Sequence, residues 1–402
     1  MKWSDYMKLS KRINDVAESA TLAASQKARD LKAQGIDVVS LTVGESDFPT
    51  PKYIADAAIA AIKNNSADHY TATNGIPELR QAIVNSHKKL DSADYDINQV
   101  FVGAGAKHVL YTLFQVLIDP GDEVILPVPY WVSFSEHITM AEGTPVFVKG
   151  NPDELYKITV DDLEAARTDK TVAVLINSPS NPTGGAYTKE EKRAIGNWAV
   201  EHNIVIVADE IYSQLVYNGV EANSFASISD DIRKQTMIVN GVSKTYAMTG
   251  WRIGYALGNK EVIAAMTKHA SQATGNPTGV SQYAAIAAYE DETNEVEEMR
   301  QSFEGRLNKA YDLITSVPGF KLPKKPDGAF YLFPDATEAA KMTGYDSVDE
   351  FSVALIEEAH VVTVVGSSFG LAECLRFSYA VSEDLFAEGI RRIIAFIEEK
   401  SN

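Results

Sequence analysis

Short apolar runs alternate with longer amphipathic stretches along this chain, most regularly between residues 98 and 258. Val100-Phe101-Val102, residues 123–128, 171–176 and 204–208, and Met237-Ile238-Val239 are runs of strand length rich in β-branched residues. Such runs read as buried strands. Between them lie stretches of helical length. One runs from the Gly103–Lys107 turn to Ile118, and another is opened by a capping box of Thr188 and Glu191 and continues to His202. Strands alternating with helices predict a mostly parallel sheet covered on both faces, with ligands at the carboxyl ends of its strands. Ahead of this region, residues 10–35 read as one helix stopped at Gly35. Residues 38–43 form a short strand that enters a Gly/Pro-bracketed loop, 44–49. A helix follows from Lys52 to Asn64, then a polar loop at 69–75 and a helix opened by Pro77. Beyond 258 the pattern predicts helices at 260–272, 279–290 and 294–316. Strands near 320–335, 361–365 and 374–380 and helices at 347–360 and 382–400 complete it. The expected organisation is a large domain over 51–293 and a smaller α+β domain. The smaller one takes residues 1–50 and the segment 294–402, which begins with a long linking helix.

Composition narrows the function classes. Hydrophobic residues make up 45% and charged residues 23%, as in an ordinary soluble domain. A formal net charge of −18 argues against a nucleic-acid or anionic-membrane surface. Positive charge that survives in so acidic a chain, if it lines a pocket, selects anionic ligands. The single cysteine, Cys374, leaves no disulfide or thiol cluster, and the seven histidines show no zinc-type spacing. No metal is expected. There is no signal-peptide pattern and no run of membrane-spanning length, which points to a cytoplasmic protein.

The chemistry concentrates at the predicted strand ends. Ser243-Lys244-Thr245-Tyr246-Ala247-Met248-Thr249-Gly250-Trp251-Arg252 lies between two apolar runs. A lysine at the end of a buried strand is costly unless paired or used, and burial favours the neutral amine that forms a Schiff base. Ser243 and Arg252 beside it can hold a phosphate by charge-assisted hydrogen bonds. That combination suggests pyridoxal phosphate, although a lysine and an arginine around a turn are more often surface charges. Asn177-Ser178-Pro179-Ser180-Asn181-Pro182-Thr183-Gly184 can present the Asn181 amide to a ligand, or can be a plain Pro/Gly loop. In Asp209-Glu210-Ile211-Tyr212, Asp209 can keep a pyridine nitrogen protonated and Tyr212 can bond a phenolic oxygen. The plain alternative is an aspartate capping a helix. Gly103-Ala104-Gly105-Ala106-Lys107 opens a helix whose free amides suit a phosphate, and Trp131 can stack on a flat ring or simply belong to the core.

Taken together, S-K-x-x-x-M-x-G-W-R-x-G-Y, N-x-P-x-N-P-T-G and D-E-I-Y resemble class I/II aminotransferases of pyridoxal-phosphate fold type I. The chain is most similar to their bacterial aspartate aminotransferase branch, over roughly residues 9 to 400. The resemblance implies an α/β fold with a seven-stranded-type, mostly parallel sheet between helices and a smaller α+β domain from both termini. It implies Lys244 as Schiff-base lysine and general base, Asp209 at the pyridine nitrogen, Asn181 and Tyr212 at the phenolic oxygen, and Trp131 stacked on the ring. Ala106 and Lys107 (through backbone), Ser243 and Arg252 would hold the phosphate. Tyr70 would reach the cofactor phosphate of the neighbouring subunit in a homodimer with shared sites. Arg376 would clamp the substrate α-carboxylate with Gly44, Trp131 and Asn181. Planar bidentate recognition of a carboxylate independently favours arginine there, while a mid-strand arginine is otherwise usually a paired surface charge. For a second, side-chain carboxylate the candidates are Lys11 and Arg12, which could as well be surface charges. Gly275-Asn276-Pro277-Thr278 departs from the serine-rich form of the family.

The resulting expectation is transamination in two half-reactions, with aspartate as donor and an acceptor such as 2-oxoglutarate. The alternatives are an aromatic or broad-specificity aminotransferase, then a β-lyase or decarboxylase on the same fold, and lastly a non-catalytic ligand-sensing module. A sensing module is disfavoured because lysine, aspartate and arginine are all retained.

Overall fold

The computed structural model describes residues 8–17, 20–290 and 293–401. Twelve strands occur among them. They are β1 (Val39–Ser40), β2 (Val100–Gly103), β3 (Glu123–Val128), β4 (Thr144–Lys149), β5 (Thr171–Asn177), β6 (Val205–Asp209), β7 (Thr236–Gly241), β8 (Gly254–Leu257), β9 (Tyr331–Leu332), β10 (Val361–Val362), β11 (Val364–Val365) and β12 (Leu375–Ser378). Seven of them form one sheet in the order β2-β8-β7-β6-β5-β3-β4. The pairs from β4 through β7 are parallel, and β8 runs antiparallel to both β7 and β2. Helices cover both faces, and the apolar strand residues are buried almost throughout, as a parallel sheet requires. The fold is the α/β, mostly parallel arrangement expected from the sequence.

The strand ends bring the site together. Asp209 lies in register with Asn177 on β5 and Val239 on β7. At the neighbouring edge three glycines are aligned, Gly103 on β2 and Gly241 on β7 each opposite Gly254 on β8. A Cβ at Gly254 would stand 2.3 Å from the Ala106 backbone nitrogen, so a bare backbone is needed for the 104–106 turn to lie against the sheet.

The second sheet system joins distant parts of the chain. β1 pairs in parallel with β10, Val39 opposite Val361, while β11, β12 and β9 form an antiparallel sheet. The helix Glu295–Thr315 buries Met299, Phe303, Leu307, Ala310 and Ile314, a stripe with helical period whose last four members belong to this second core.

Three expectations differ. The single helix expected over 10–35 is two helices, Lys11–Asn14 and Ala20–Ala33, with residues 18–19 outside the described residues. The first buries no residue, so no packing face extends it. β4 was not expected. It lies at the sheet edge and carries Pro145, a residue that edge strands tolerate and that hides them in sequence. The strand expected over 38–43 is ordered as a strand only at Val39–Ser40.

Candidate active site

A cleft of about 610 Å³ opens at the carboxyl ends of β5 and β6, beside the Ser243–Arg252 turn. Gly44, Ala106, Lys107, Trp131, Asn181, Asp209, Tyr212, Ser243, Lys244, Arg252 and Arg376 all line it. Tyr70 does not line it, and is fully exposed on the surface of the chain.

Lys244 is half-buried on the cleft floor, where its ammonium donates to the Gly44 carbonyl. Its Nζ lies 5.9 Å from the ring centroids of both Tyr212 and Phe330. Burial draws its pKa down to about 8; Glu45 opposes this, and Arg376 and Arg252 add to it. Asp209 is buried at the end of β6, where its Oδ1 accepts from the Ile211 backbone. No helix starts there, so Asp209 is not a helix cap. Burial pushes its carboxyl up to about 7.

The two loops above the sheet are tied to these ends. Asn177 donates through Nδ2 to the Asp209 carbonyl at 3.0 Å and accepts through Oδ1 from the Asn181 backbone at 2.8 Å. The Asn181 side chain therefore faces β12. There Arg376 donates through Nη1 to Asn181 Oδ1 at 3.0 Å and through Nη2 to the Thr42 carbonyl at 2.8 Å. The Arg376 guanidinium is buried under the Tyr331 ring at 4.5 Å, and its Nε has no hydrogen-bond partner among the described residues. A buried cation with no carboxylate beside it is costly unless an anion completes the site.

On the other side, Arg252 donates through Nη1 to the Thr249 carbonyl at 3.0 Å and through Nη2 to the Ala104 carbonyl at 3.1 Å. Gly105 lets it approach: a Cβ there would fall 2.4 Å from Arg252 Nη2, and the backbone at Gly105 has φ +88°. The helix Ala106–Leu117 starts at this point, with Ala106 and Lys107 lining the cleft and the first amides of the helix unpaired within it. The Lys107 side chain also takes part, with its Nζ 4.9 Å over the Trp131 ring.

Several cleft residues escaped the sequence reading. The Tyr331 hydroxyl is 3.0 Å from that of Tyr212, and Glu45 accepts from Thr249 Oγ1 at 2.6 Å. Arg29 and Lys32 reach the cleft from the helix Ala20–Ala33. Lys11 and Arg12, the basic residues singled out in sequence, do not line it. Only Gly328-Ala329-Phe330-Tyr331, a glycine leading into an apolar run, gave a local signal for Tyr331.

A half-buried lysine amine, a carboxylate at the strand end and an unneutralised arginine in one cleft of an α/β sheet define an enzyme of amino-acid chemistry. The chain belongs to the family of class I and II aminotransferases, whose model it matches over residues 36–393. It is 52% identical over 390 residues to the aspartate aminotransferase of Bacillus sp. strain YM-2, covering 97% of this chain and 99% of that one. It is 50% identical to an asparagine–oxo-acid transaminase of Streptococcus mutans, covering 98% and 100%. Among solved structures it is similar to the aspartate aminotransferase of Thermus thermophilus with maleate. There the TM-score is 0.90 at 37% identity, with 97% of this chain and all of that one covered. The protein is thus a transaminase, acting on amino acids and oxo acids. Aminotransferases of this family depend on pyridoxal phosphate. The residues present fit that group. Asp209 is a buried carboxylate that forms no salt bridge among the described residues, and the Gly105 turn with Ser243 and Arg252 offers donors and charge to a phosphate.

Proposed function

We propose that the enzyme takes its amino group from aspartate and delivers it to a 2-oxo acid such as 2-oxoglutarate, with pyridoxal phosphate held in this cleft. What carries the reading is the placement of Lys244 in one cavity with Asp209 and Arg376. Bound there, pyridoxal phosphate supplies a carbonyl carbon that accepts the amino group and a ring that withdraws electrons from the substrate Cα. The chain's own groups do the rest. Asp209 would keep the ring nitrogen protonated, and that charge would favour the ionised form of this buried carboxylate. Ala106 and Lys107 (through backbone amides), Ser243 and Arg252 would hold the phosphate, Asn181 and Tyr212 would bond the phenolic oxygen, and Trp131 would stack on the ring.

Arg376 grips the substrate α-carboxylate with Asn181, Gly44 and Trp131 around it, which fixes the Cα–H bond toward Lys244. Lys244 Nζ then takes the Cα proton as general base; a pKa near 8 leaves a useful fraction of neutral amine at neutral pH. Tyr70 completes the phosphate site of a second copy in a homodimer, so each site draws on both chains. Residues 1–50 and 294–402 make up the small domain and 51–293 the large one, a division supported by the β1–β10 pairing. No helix among the described residues is long and apolar enough to cross a membrane, and we place the enzyme in the cytoplasm. The Streptococcus relative favours asparagine as a second donor. Rates with aspartate, asparagine and phenylalanine against 2-oxoglutarate test the reading: it requires aspartate to lead, and a lead for phenylalanine overturns it.

A further inference from the structure

The cleft differs in charge from the rest of the chain. Six basic residues line it, Arg29, Lys32, Lys107, Lys244, Arg252 and Arg376, against two acidic ones, Glu45 and Asp209. Over the whole sequence acids outnumber bases by 55 to 37. Three of the six charges, on Lys244, Arg252 and Arg376, have a place in the chemistry above, and Lys107 enters it through its backbone; Arg29 and Lys32 have none.

Both lie on the helix Ala20–Ala33, where Ser25, Ala28, Arg29 and Lys32 follow the spacing i, i+3, i+4, i+7 and so share the face that lines the cleft. Arg29 and Lys32 are exposed, which places them at its mouth. Arg29 donates through Nε and Nη2 to Gln26 Oε1 at 3.2 and 2.6 Å, and Gln26 in turn donates to Asp30 at 2.6 Å. A neutral amide therefore fixes the guanidinium and leaves its charge in place. Among the described residues no carboxylate forms an ion pair with Arg29 or Lys32, although salt bridges are common elsewhere on this surface.

We propose that Arg29 and Lys32 form an outer anion subsite that favours dicarboxylic over monocarboxylic substrates. A dianion gains twice the energy of a monoanion in the same positive potential, and a cleft with low-dielectric walls concentrates that potential. The inference rests on the reading of this cleft as the substrate site. It gives that site a means of selecting dicarboxylates that acts at the mouth, separate from the grip of Arg376 on the α-carboxylate.

Non-reacting anions test it without turnover. Succinate and butyrate are titrated into the holoenzyme by calorimetry, at about 20 mM and about 200 mM salt. The proteins are the parent, Arg29→Gln, Lys32→Gln, the double variant and Arg29→Lys. At low salt the double variant should weaken succinate by roughly 10-fold and butyrate by roughly 3-fold, one factor being about the square of the other. At the higher salt both factors should shrink toward one. Arg29→Lys should keep most of the preference. Equal weakening of the two anions, no weakening, or a salt-independent difference overturns the proposal. Arg376→Lys serves as the separate control on the substrate-site reading, because it should weaken succinate and butyrate alike. If it weakens neither, that reading fails, while the Arg29 and Lys32 variants still decide whether the outer subsite exists.

Discussion

Arg376 donates to Asn181 Oδ1 at 3.0 Å across 195 positions of sequence, so strand β12 and the loop after β5 meet at one buried guanidinium. The amide holds the fork, and Nε is left without a hydrogen-bond partner among the described residues.

Arg376→Lys should therefore hurt every donor alike, because each donor carries an α-carboxylate. Breaking a bidentate contact to a desolvated charge costs roughly 2–5 kcal/mol. This corresponds to a loss on the order of thirty-fold to several thousand-fold in kcat/KM. One ammonium cannot reproduce the planar fork. The measurement is kcat/KM for aspartate and for phenylalanine. A loss confined to aspartate would move Arg376 to the side-chain carboxylate.

Lys244→Ala should bind pyridoxal phosphate non-covalently and show no turnover. In the parent protein, borohydride treatment followed by peptide mapping should find the cofactor fixed at Lys244. A label on Lys107, also in the cleft, would reverse the assignment.

Asp209 makes the stability of the cofactor-free protein depend on pH. Its folded carboxyl is pushed from 3.8 up to about 7, so the folded state keeps a proton that the unfolded state has already lost. Stability on this account is greatest below about pH 4 and falls as pH rises toward 7. Between pH 5 and 7.5 the decline due to Asp209 is roughly 3 kcal/mol. Urea unfolding at these two pH values should show a shallower decline in Asp209→Asn. Equal declines in the two proteins would show that Asp209 is already ionised at pH 5.

Tyr70 is fully exposed on the single chain. If it completes a neighbouring site, mixing Lys244→Ala with Tyr70→Phe subunits should yield heterodimers in which one of the two sites has both residues. Activity after subunit exchange should exceed that of either parent protein. No recovery in verified heterodimers would place the whole site within one chain.

What was legible in the sequence lies mainly at the ends of the central strands. Asp209, Asn181 and Lys244 each follow an apolar run, and a polar group there is visible because burial makes it conspicuous. The central sheet was readable for the same reason, its strands being apolar on both faces. Tyr331, Arg29 and Lys32 were not legible. Tyr331 sits within an aromatic run that reads as core, and Arg29 and Lys32 look like any charged helix surface until the second sheet brings that helix over the cleft. The edge position and Pro145 of β4 removed the usual strand signal. Lys11 and Arg12 were basic and in the right segment, yet the short helix that carries them turns aside.

The bond from Arg376 to the Thr42 carbonyl spans 334 residues, and β1 finds its partner only at β10. On the ribosome, at about 5–20 residues per second, the N-terminal strand must wait on the order of tens of seconds for these partners to be synthesised. Lys244 and Asp209 will have emerged earlier, with every strand of the central sheet. The residues proposed to hold the cofactor are thus synthesised before the arginine proposed to grip the amino acid, and the partner's Tyr70 can join only after both.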